Sequence, residues 1–197
     1  MTGSRRLSQA IAEGDGISLI VPAADRESAE AAETQGAEGI VVEREVAGVR
    51  DATGLPILWR TAGSPAEALN LGADAFLIAA EAIEEDDDRL ERRYAEALDL
   101  GLECVVEVRD AEELELALER LDPEIFLLSP KSEENGDDPL EWVLDLLPDL
   151  PAGKLAIADL DVTSREEVAE LERAGVDAVI VCTRDIAGLG GAPPPEV

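Results

Sequence analysis

Histidine is absent from this 197-residue chain, and its absence excludes several common kinds of active site. A catalytic triad of the usual kind needs an imidazole to take the proton of the nucleophile, so no such triad can form. Zinc sites usually combine histidine with cysteine, and the chain has only two cysteines, so no zinc site is expected. We expect no other metal and no cofactor, since the chain also lacks a glycine-rich nucleotide fingerprint.

Basic residues are scarce as well. The chain has 16 lysines and arginines against 46 acidic residues, for a formal net charge of -30. A surface this negative repels phosphate backbones and anionic lipids, so we expect neither nucleic-acid nor membrane binding. Lys131 and Lys154 are the only lysines. An acidic, lysine-poor surface is typical of halophilic proteins, because salt screens its self-repulsion; the alternative is the acidic bias of a GC-rich genome.

Long apolar runs of the signal-peptide or membrane-spanning kind are missing too, which predicts a cytoplasmic protein. Aromatic residues make up only 3% of the chain, so the core must be built from aliphatic side chains. Cys104 and Cys182 lie in apolar, strand-like runs. Both are therefore predicted to be small core residues and not a disulfide pair.

Eight short apolar runs alternate with helix-forming segments. Three of them follow one pattern, in which a helix ends near a glycine and one or two small or acidic residues precede the strand: TQGAEGIVVE, NLGADAFLIAA and ERAGVDAVIVC. Such apolar runs are typical of parallel strands buried on both faces. The predicted strands cover residues 17–21, 39–43, 56–60, 75–79, 104–108, 125–129, 155–159 and 178–182. Eight of them predict a closed (β/α)8 TIM barrel, an α/β fold in a single domain over residues 1–197.

The chain is short for this fold, so the barrel is predicted to be trimmed. Helices are predicted at 26–35, 65–71, 88–100, 111–120, 139–147 and 165–174. Three starts carry capping pairs: Ser64 with Glu67, Asp110 with Glu113, and Ser164 with Glu167. Only a short helix fits after strand two, and the helix after strand eight is predicted to be short or missing. Residues 5–14 predict a short helix under the barrel.

A missing last helix would leave an apolar flank beside strands eight and one. We therefore expect a second copy of the chain or a protein partner to cover that flank.

Two acidic runs, at 84–89 and 132–139, are predicted to be solvated loops or helix starts. A metal-binding interpretation would require a particular loop geometry, and neither run has EF-hand spacing.

The carboxyl ends of the strands form the active site in barrels of this kind, and the residues there resemble one family. The segment CVVEVRDAEELELAL (104–118) resembles the fifth strand and helix of indole-3-glycerol phosphate synthase. The segments at 7–21, 55–80 and 155–186 resemble other parts of that family in the same order. The resemblance runs along nearly the whole chain and implies the family's barrel fold.

The family catalyses a decarboxylative ring closure in tryptophan biosynthesis, with a lysine acid at strand three and a glutamate base at strand five. On this resemblance Glu107 takes the place of the base and Arg60 that of the lysine. Lys131 follows strand six, and Asp159 ends strand seven. Together with Glu107 and Arg60, they are the four candidate catalytic residues. The family's phosphate site lies at strands seven and eight. The candidate residues for substrate or phosphate binding are Ser129, Thr183 and Arg184.

Other positions of the family's site are substituted. Pro22 and Ala24 stand near its strand-one glutamate and lysine, and Asp161 and Cys182 replace two glycines of its phosphate site. The resemblance therefore implies a pseudoenzyme or scaffold protein that has lost the ring closure. Two alternatives remain: residual synthase activity, and altered lyase or aldolase chemistry on a small anionic substrate.

Glu107 itself has two interpretations. It is either a base that points into the barrel mouth or a structural carboxylate paired with Arg60 or Lys131. Lys131 is either a Schiff-base lysine or a loop lysine in place of a family arginine.

Overall fold

Eight parallel strands close into a barrel in the computed structural model, which describes residues 6–14, 16–79, 88–130, 138–182, 186 and 189. Each strand pairs with the next along the chain, and the last pairs with the first, which confirms the predicted TIM barrel. The strands are β1 (Ser18–Pro22), β2 (Gly39–Val42), β3 (Ile57–Trp59), β4 (Ala75–Ile78), β5 (Glu103–Val108), β6 (Ile125–Leu128), β7 (Leu155–Asp159) and β8 (Ala178–Ile180).

The helices lie where the sequence pattern predicts them. They are α1 (Leu7–Ala12), α2 (Arg26–Thr34), α3 (Val49–Ala52), α4 (Pro65–Asn70), α5 (Arg89–Asp99), α6 (Ala111–Arg120), α7 (Pro139–Leu146) and α8 (Arg165–Ala174), with a 3₁₀ turn at Leu147–Asp149. The helix after β2 is a single turn, as expected. Most of the segment after β8 lies outside the described residues, so the predicted loss of its helix stays a prediction.

Two of the three predicted capping boxes form. Ser64 with Glu67 and Ser164 with Glu167 cap α4 and α8 reciprocally. Asp110 also accepts a bond from the Glu113 N–H, at 2.8 Å. The Glu113 side chain instead accepts the Arg109 N–H at 2.6 Å and pairs with the Arg109 guanidinium at 2.7 Å.

The acidic residue before β2, β4 and β8 accepts a hydrogen bond from a backbone amide at the start of the preceding strand. The Asp74 carboxylate accepts from the Ile57 N–H at 2.9 Å, and Asp177 accepts from the Ala156 N–H at 2.8 Å. The Glu38 carboxylate likewise accepts from the N–H of Leu19, the second residue of β1, at 2.9 Å. Neighbouring strands are staggered in a barrel, so these amides lie at its lower edge and need an acceptor from outside the strand. The repeated acidic residues thus close hydrogen bonds at the bottom of the barrel.

The first helix closes the bottom of the barrel. Leu7 and Ile11 of α1 belong to the same apolar cluster as the side chains of the barrel interior, and both are buried. Ser8 ties the helix to β5, because its backbone N–H and hydroxyl both donate to the Glu103 carboxylate. The short helix predicted under the barrel is therefore present.

Part of the flank beside β8 and β1 is covered by the chain itself. Ile186 and Leu189 are buried in the layer between strands and helices, and the Ile186 N–H donates to the Gln35 side chain just after α2, at 3.3 Å. These two residues thus occupy part of the apolar surface that a last helix would cover. Whether a second copy or a partner covers the rest stays a prediction.

No helix within the described ranges is both long and apolar enough to cross a membrane.

Replacing Ile186 with alanine tests the contribution of this segment. We expect Ile186→Ala to lower the free energy of unfolding in urea by about 2–4 kcal/mol, because a fully buried aliphatic side chain is lost. Leu98→Ala is the control, since Leu98 is 49% exposed and its loss is expected to cost at most about 0.5 kcal/mol. Equal stabilities of the two variants would show that the segment after β8 does not pack as described.

Candidate active site

The charged residues of the site belong to the uppermost inward layer that the odd-numbered strands contribute, which we call the top layer. Side chains alternate in and out along each strand, and four inward residues from alternate strands share one layer. One wholly buried layer comes from the odd-numbered strands: Ile20, Leu58, Val105 and Ile157. Two residues further along the same four strands stand the members of the top layer: Pro22, Arg60, Glu107 and Asp159.

Arg60 joins the two carboxylates of this layer. Its Nη1 lies 2.6 Å from Oδ2 of Asp159, and its Nη2 lies 3.4 Å from Oε1 of Glu107. The side chains are 25% exposed for Arg60, 19% for Asp159 and 11% for Glu107, so all three are shielded from bulk water. The contact with Asp159 is a strong charge-assisted hydrogen bond, and the longer one with Glu107 is weaker.

The surroundings of Arg60 keep its charge in place. Burial alone would lower the pKa of the guanidinium, but the charge and hydrogen bond of Asp159, with the charges of Glu107 and Glu43, outweigh burial and raise it above its ordinary value. An arginine is already protonated at any physiological pH. This side chain can hold an anionic group, but it cannot give up and regain a proton near neutral pH.

The next inward positions lie above this layer on the even-numbered strands, at the open end of the barrel. They are Glu43, Ala79, Ser129 and Cys182. The prediction that Cys182 is a core residue is wrong, because it stands two residues beyond the end of β8 and is exposed. Cys104, in β5, is buried as predicted.

The described charges around Cys182 are mostly negative. Partial burial and the charges of Asp161, Asp159 and Glu43 raise the pKa of the Cys182 thiol, and Arg60 only partly opposes them. Asp161 and Glu43 are both exposed. The thiol therefore stays protonated near neutral pH, which makes it a poor nucleophile.

Three of the predicted site residues come together, a fourth lies apart from them, and three lie outside the described residues. Arg60, Glu107 and Asp159 form the ion-paired group. Ser129 is half-buried, and its backbone N–H donates to the Val108 carbonyl at 3.1 Å. The remaining three predicted residues, Lys131, Thr183 and Arg184, lie outside the described residues.

Glu43 is a residue of the mouth that the sequence interpretation missed. It follows Val41, an interior residue of β2, by two positions, so the two-residue alternation of a strand places it at the mouth. Sequence interpretation missed Glu43 because it lies outside the segments that resemble catalytic motifs of the family. Over the described parts of the chain, no group of three or more cysteine and acidic side chains is arranged to hold a metal ion.

Substitution of Asp159 tests the ion-paired layer. Asp159→Asn keeps the shape of the side chain but removes the charge that Arg60 binds most closely. We expect a loss of about 1–3 kcal/mol in the free energy of unfolding in urea, less than for a fully buried pair because both side chains are partly exposed.

The control for this variant is Asp122→Asn, which removes the partner of Lys154. Asp122 is 75% exposed, so its loss is expected to cost at most about 0.5 kcal/mol. An Asp159→Asn protein as stable as the control would contradict the described geometry of the layer.

The two thiols are expected to differ in reactivity. The pKa of Cys104 is raised by burial to about 12, so it should not react with iodoacetamide in the folded protein. Cys182 is accessible, and its alkylation rate should rise with pH around a midpoint above that of a free cysteine, because only the thiolate attacks. Mass spectrometry should find a single alkylated site in the folded protein, two in urea, and none in folded Cys182→Ser. A midpoint below that of free cysteine would contradict the negative field at the mouth.

Comparison with solved structures places the fold among known barrels. One neighbour is the N-acetylmannosamine-6-phosphate 2-epimerase from Clostridium perfringens, with a TM-score of 0.70 and 16% identity over 87% of both chains. Another is a thiamine phosphate pyrophosphorylase from Pyrococcus furiosus, with a TM-score of 0.65 and 16% identity over 88% of this chain and 93% of that one. At this identity the likeness concerns the fold alone.

Comparison of sequences concerns the family. The chain is 38% identical to an indole-3-glycerol phosphate synthase of Variovorax paradoxus (strain S110) over 115 residues, which are 58% of this chain and 42% of that protein. It is 32% identical to one of Geobacillus sp. (strain WCH70) over 115 residues, which are 58% of this chain and 44% of that protein. The match thus spans less than half the length of these relatives.

The family model for indole-3-glycerol phosphate synthase matches residues 65–185. This segment begins just after β3 and contains Glu107 and Asp159, whereas Arg60 and Pro22 precede it. With more than half of its length matched, this chain belongs to the indole-3-glycerol phosphate synthase family.

Proposed function

We propose that this chain no longer catalyses the ring closure of its family and serves as a barrel-shaped scaffold or interaction protein. The observation that carries the proposal is the bonding of Arg60 to both Asp159 and Glu107. On the family resemblance, this position holds the lysine that acts as general acid. An acid must lose and regain a proton in each turnover, and a guanidinium whose pKa is raised by its partners does not.

The state of Glu107 supports the same conclusion. A general base must lie within hydrogen-bonding distance of the proton that it removes from the substrate. Here one of the Glu107 carboxylate oxygens faces the Arg60 guanidinium, and the side chain is only 11% exposed. A substrate would have to displace this contact before Glu107 could act on it.

Strand one supplies no replacement for the missing groups. Pro22 takes the fourth place in the top layer, and its side chain carries no ionisable or hydrogen-bonding group. Ala24, near the family's lysine position, is exposed and equally inert. Two of the functional groups that the resemblance implies are therefore absent from this side of the mouth.

The phosphate side of the mouth disfavours an anion. Phosphate sites use closely approaching backbone amides and a positive local field. At the positions of the two family glycines stand Asp161, an exposed carboxylate, and Cys182, whose thiol pKa is raised by partial burial and then by neighbouring carboxylates. A phosphate group there would meet like charge, which in a partly shielded site is unfavourable by about 1–4 kcal/mol for each close carboxylate.

A second candidate is altered lyase or aldolase chemistry on a small anionic substrate, with Glu107 as base and Arg60 as anion clamp. The convergence of Arg60, Glu107 and Asp159 favours it, because three functional groups meet where barrel enzymes work. The ion pairs weigh against it, since the guanidinium is already bound by carboxylates of its own chain.

A turnover assay with the family's carboxyphenylamino-deoxyribulose phosphate substrate separates these possibilities. We expect the purified chain, at both low and high salt, to form indole-3-glycerol phosphate no faster than its Glu107→Gln variant does. The reason is that neither the acid nor the base of the family is available. Product is measured by its indole fluorescence, and a full-length relative such as the Variovorax paradoxus synthase serves as positive control. Turnover that Glu107→Gln abolishes would contradict the proposal and establish residual synthase activity.

A further inference from the structure

The Arg60 side chain reaches across the mouth of the barrel to the opposite wall. Arg60 follows β3 and Asp159 ends β7, and these two strands lie four places apart in a ring of eight. Strands four places apart face each other across the barrel, so the 2.6 Å contact bridges opposite walls. Glu107 stands on β5, halfway between them around the ring, and receives the second nitrogen of the same guanidinium.

The space beneath this bridge is filled. Leu58, Val105 and Ile157 stand one layer below Arg60, Glu107 and Asp159 on the same three strands, and each is completely buried. A ligand therefore cannot approach the two carboxylates from inside the barrel. From outside, it meets the guanidinium, which already contacts both of them.

Among the described residues, the charges that act on Arg60 come from three different strands. They are Asp159 on β7, Glu107 on β5 and Glu43 after β2, together with the neutral thiol of Cys182 after β8. All three carboxylates are attached next to strands whose positions are set by the barrel ladders. Removal of Arg60 would thus leave the three carboxylates in place around an empty space. That space would have the size of one guanidinium and would favour a cation.

We propose that Arg60 is an internal plug, because its guanidinium fills a cation site at the barrel mouth that would otherwise be open to an external guanidinium group. The bridge holds the mouth closed, and the mouth opens only when the guanidinium leaves both carboxylates. This proposal goes beyond the loss of the ring closure and does not depend on it, because its test measures binding and stability and not turnover.

Restoring the thermal stability of a variant that lacks the Arg60 side chain with a small cation tests the plug. Arg60→Ala should lower the thermal midpoint, and methylguanidinium chloride at about 1–20 mM, at constant total chloride, should restore part of it saturably. At a ligand concentration roughly ten times Kd the expected rise is about 3–6 °C. Sodium chloride at the same concentration should not reproduce the rise, and the wild-type protein should not respond because its site is filled.

Arg120→Ala is the matched control. The Arg120 side chain is 20% exposed, close to the 25% of Arg60, and it also binds a carboxylate, that of Glu91 on α5. It lies on the outer helices, and the Glu91 carboxylate that it binds is 40% exposed, so its removal leaves a carboxylate open to solvent. We expect no saturable rescue there. Equal responses of the two variants, or no response of Arg60→Ala, would overturn the proposal.

A measurement on the intact arginine covers the case in which Arg60→Ala fails to fold. Nuclear magnetic resonance of ¹⁵N-labelled arginine side chains should show one guanidinium resonance of the wild-type protein that exchanges slowly with water and vanishes in the Glu107→Gln/Asp159→Asn double variant. The Arg120 resonance should persist in both proteins. If the double variant kept all the slowly exchanging guanidinium resonances of the wild-type protein, the two carboxylates would not hold Arg60. The plug would then be disproved.

Discussion

Closure of the eight-stranded sheet is the constraint on which the other features of this protein depend. Once β8 pairs with β1, each inward side chain belongs to a layer of four from alternate strands. The aliphatic layers fill the interior, and α1 closes the bottom with Leu7 and Ile11. The top layer is where the apolar sequence of the strands ends, so polar side chains can be placed there without being surrounded by apolar atoms. The charged cluster is a consequence of where that layer lies.

Charge decides what the mouth of the barrel can accept. A single guanidinium is faced by carboxylates from three strands, and the thiol nearby feels a net negative field. Such an arrangement is stable because the cation is shared and partly shielded from water. The same arrangement is poorly suited to a phosphorylated substrate. The proposed loss of the family reaction therefore rests on a change of charge preference at the mouth, through a few substitutions at the ends of paired strands.

The positions that differ from the family pattern lie both before and within the family match, since Asp161 and Cys182 fall inside it. The family match begins at residue 65, after β3, and Pro22 and Arg60 both precede it. Within the matched part, β5 retains Glu107 together with the strand and helix that surround it. Capping boxes and the acidic residues that bind the lower edge of the barrel do not depend on catalysis. These structural features persist because they stabilise the barrel whether or not it catalyses a reaction.

The sequence specifies the order and type of the elements, because apolar runs, helix caps and glycines are local signals that each segment carries within itself. It also placed Glu107 and Asp159 at strand ends, and the resemblance pointed to the family. Only the tertiary structure decided that Arg60 spans from β3 to both carboxylates, that Glu43 faces the same group, and that Cys182 is exposed and not part of the core. It also located Ile186 and Leu189 beside the barrel. These facts concern residues far apart in the chain, and they depend on the stagger and closure of the strands, which no local signal specifies.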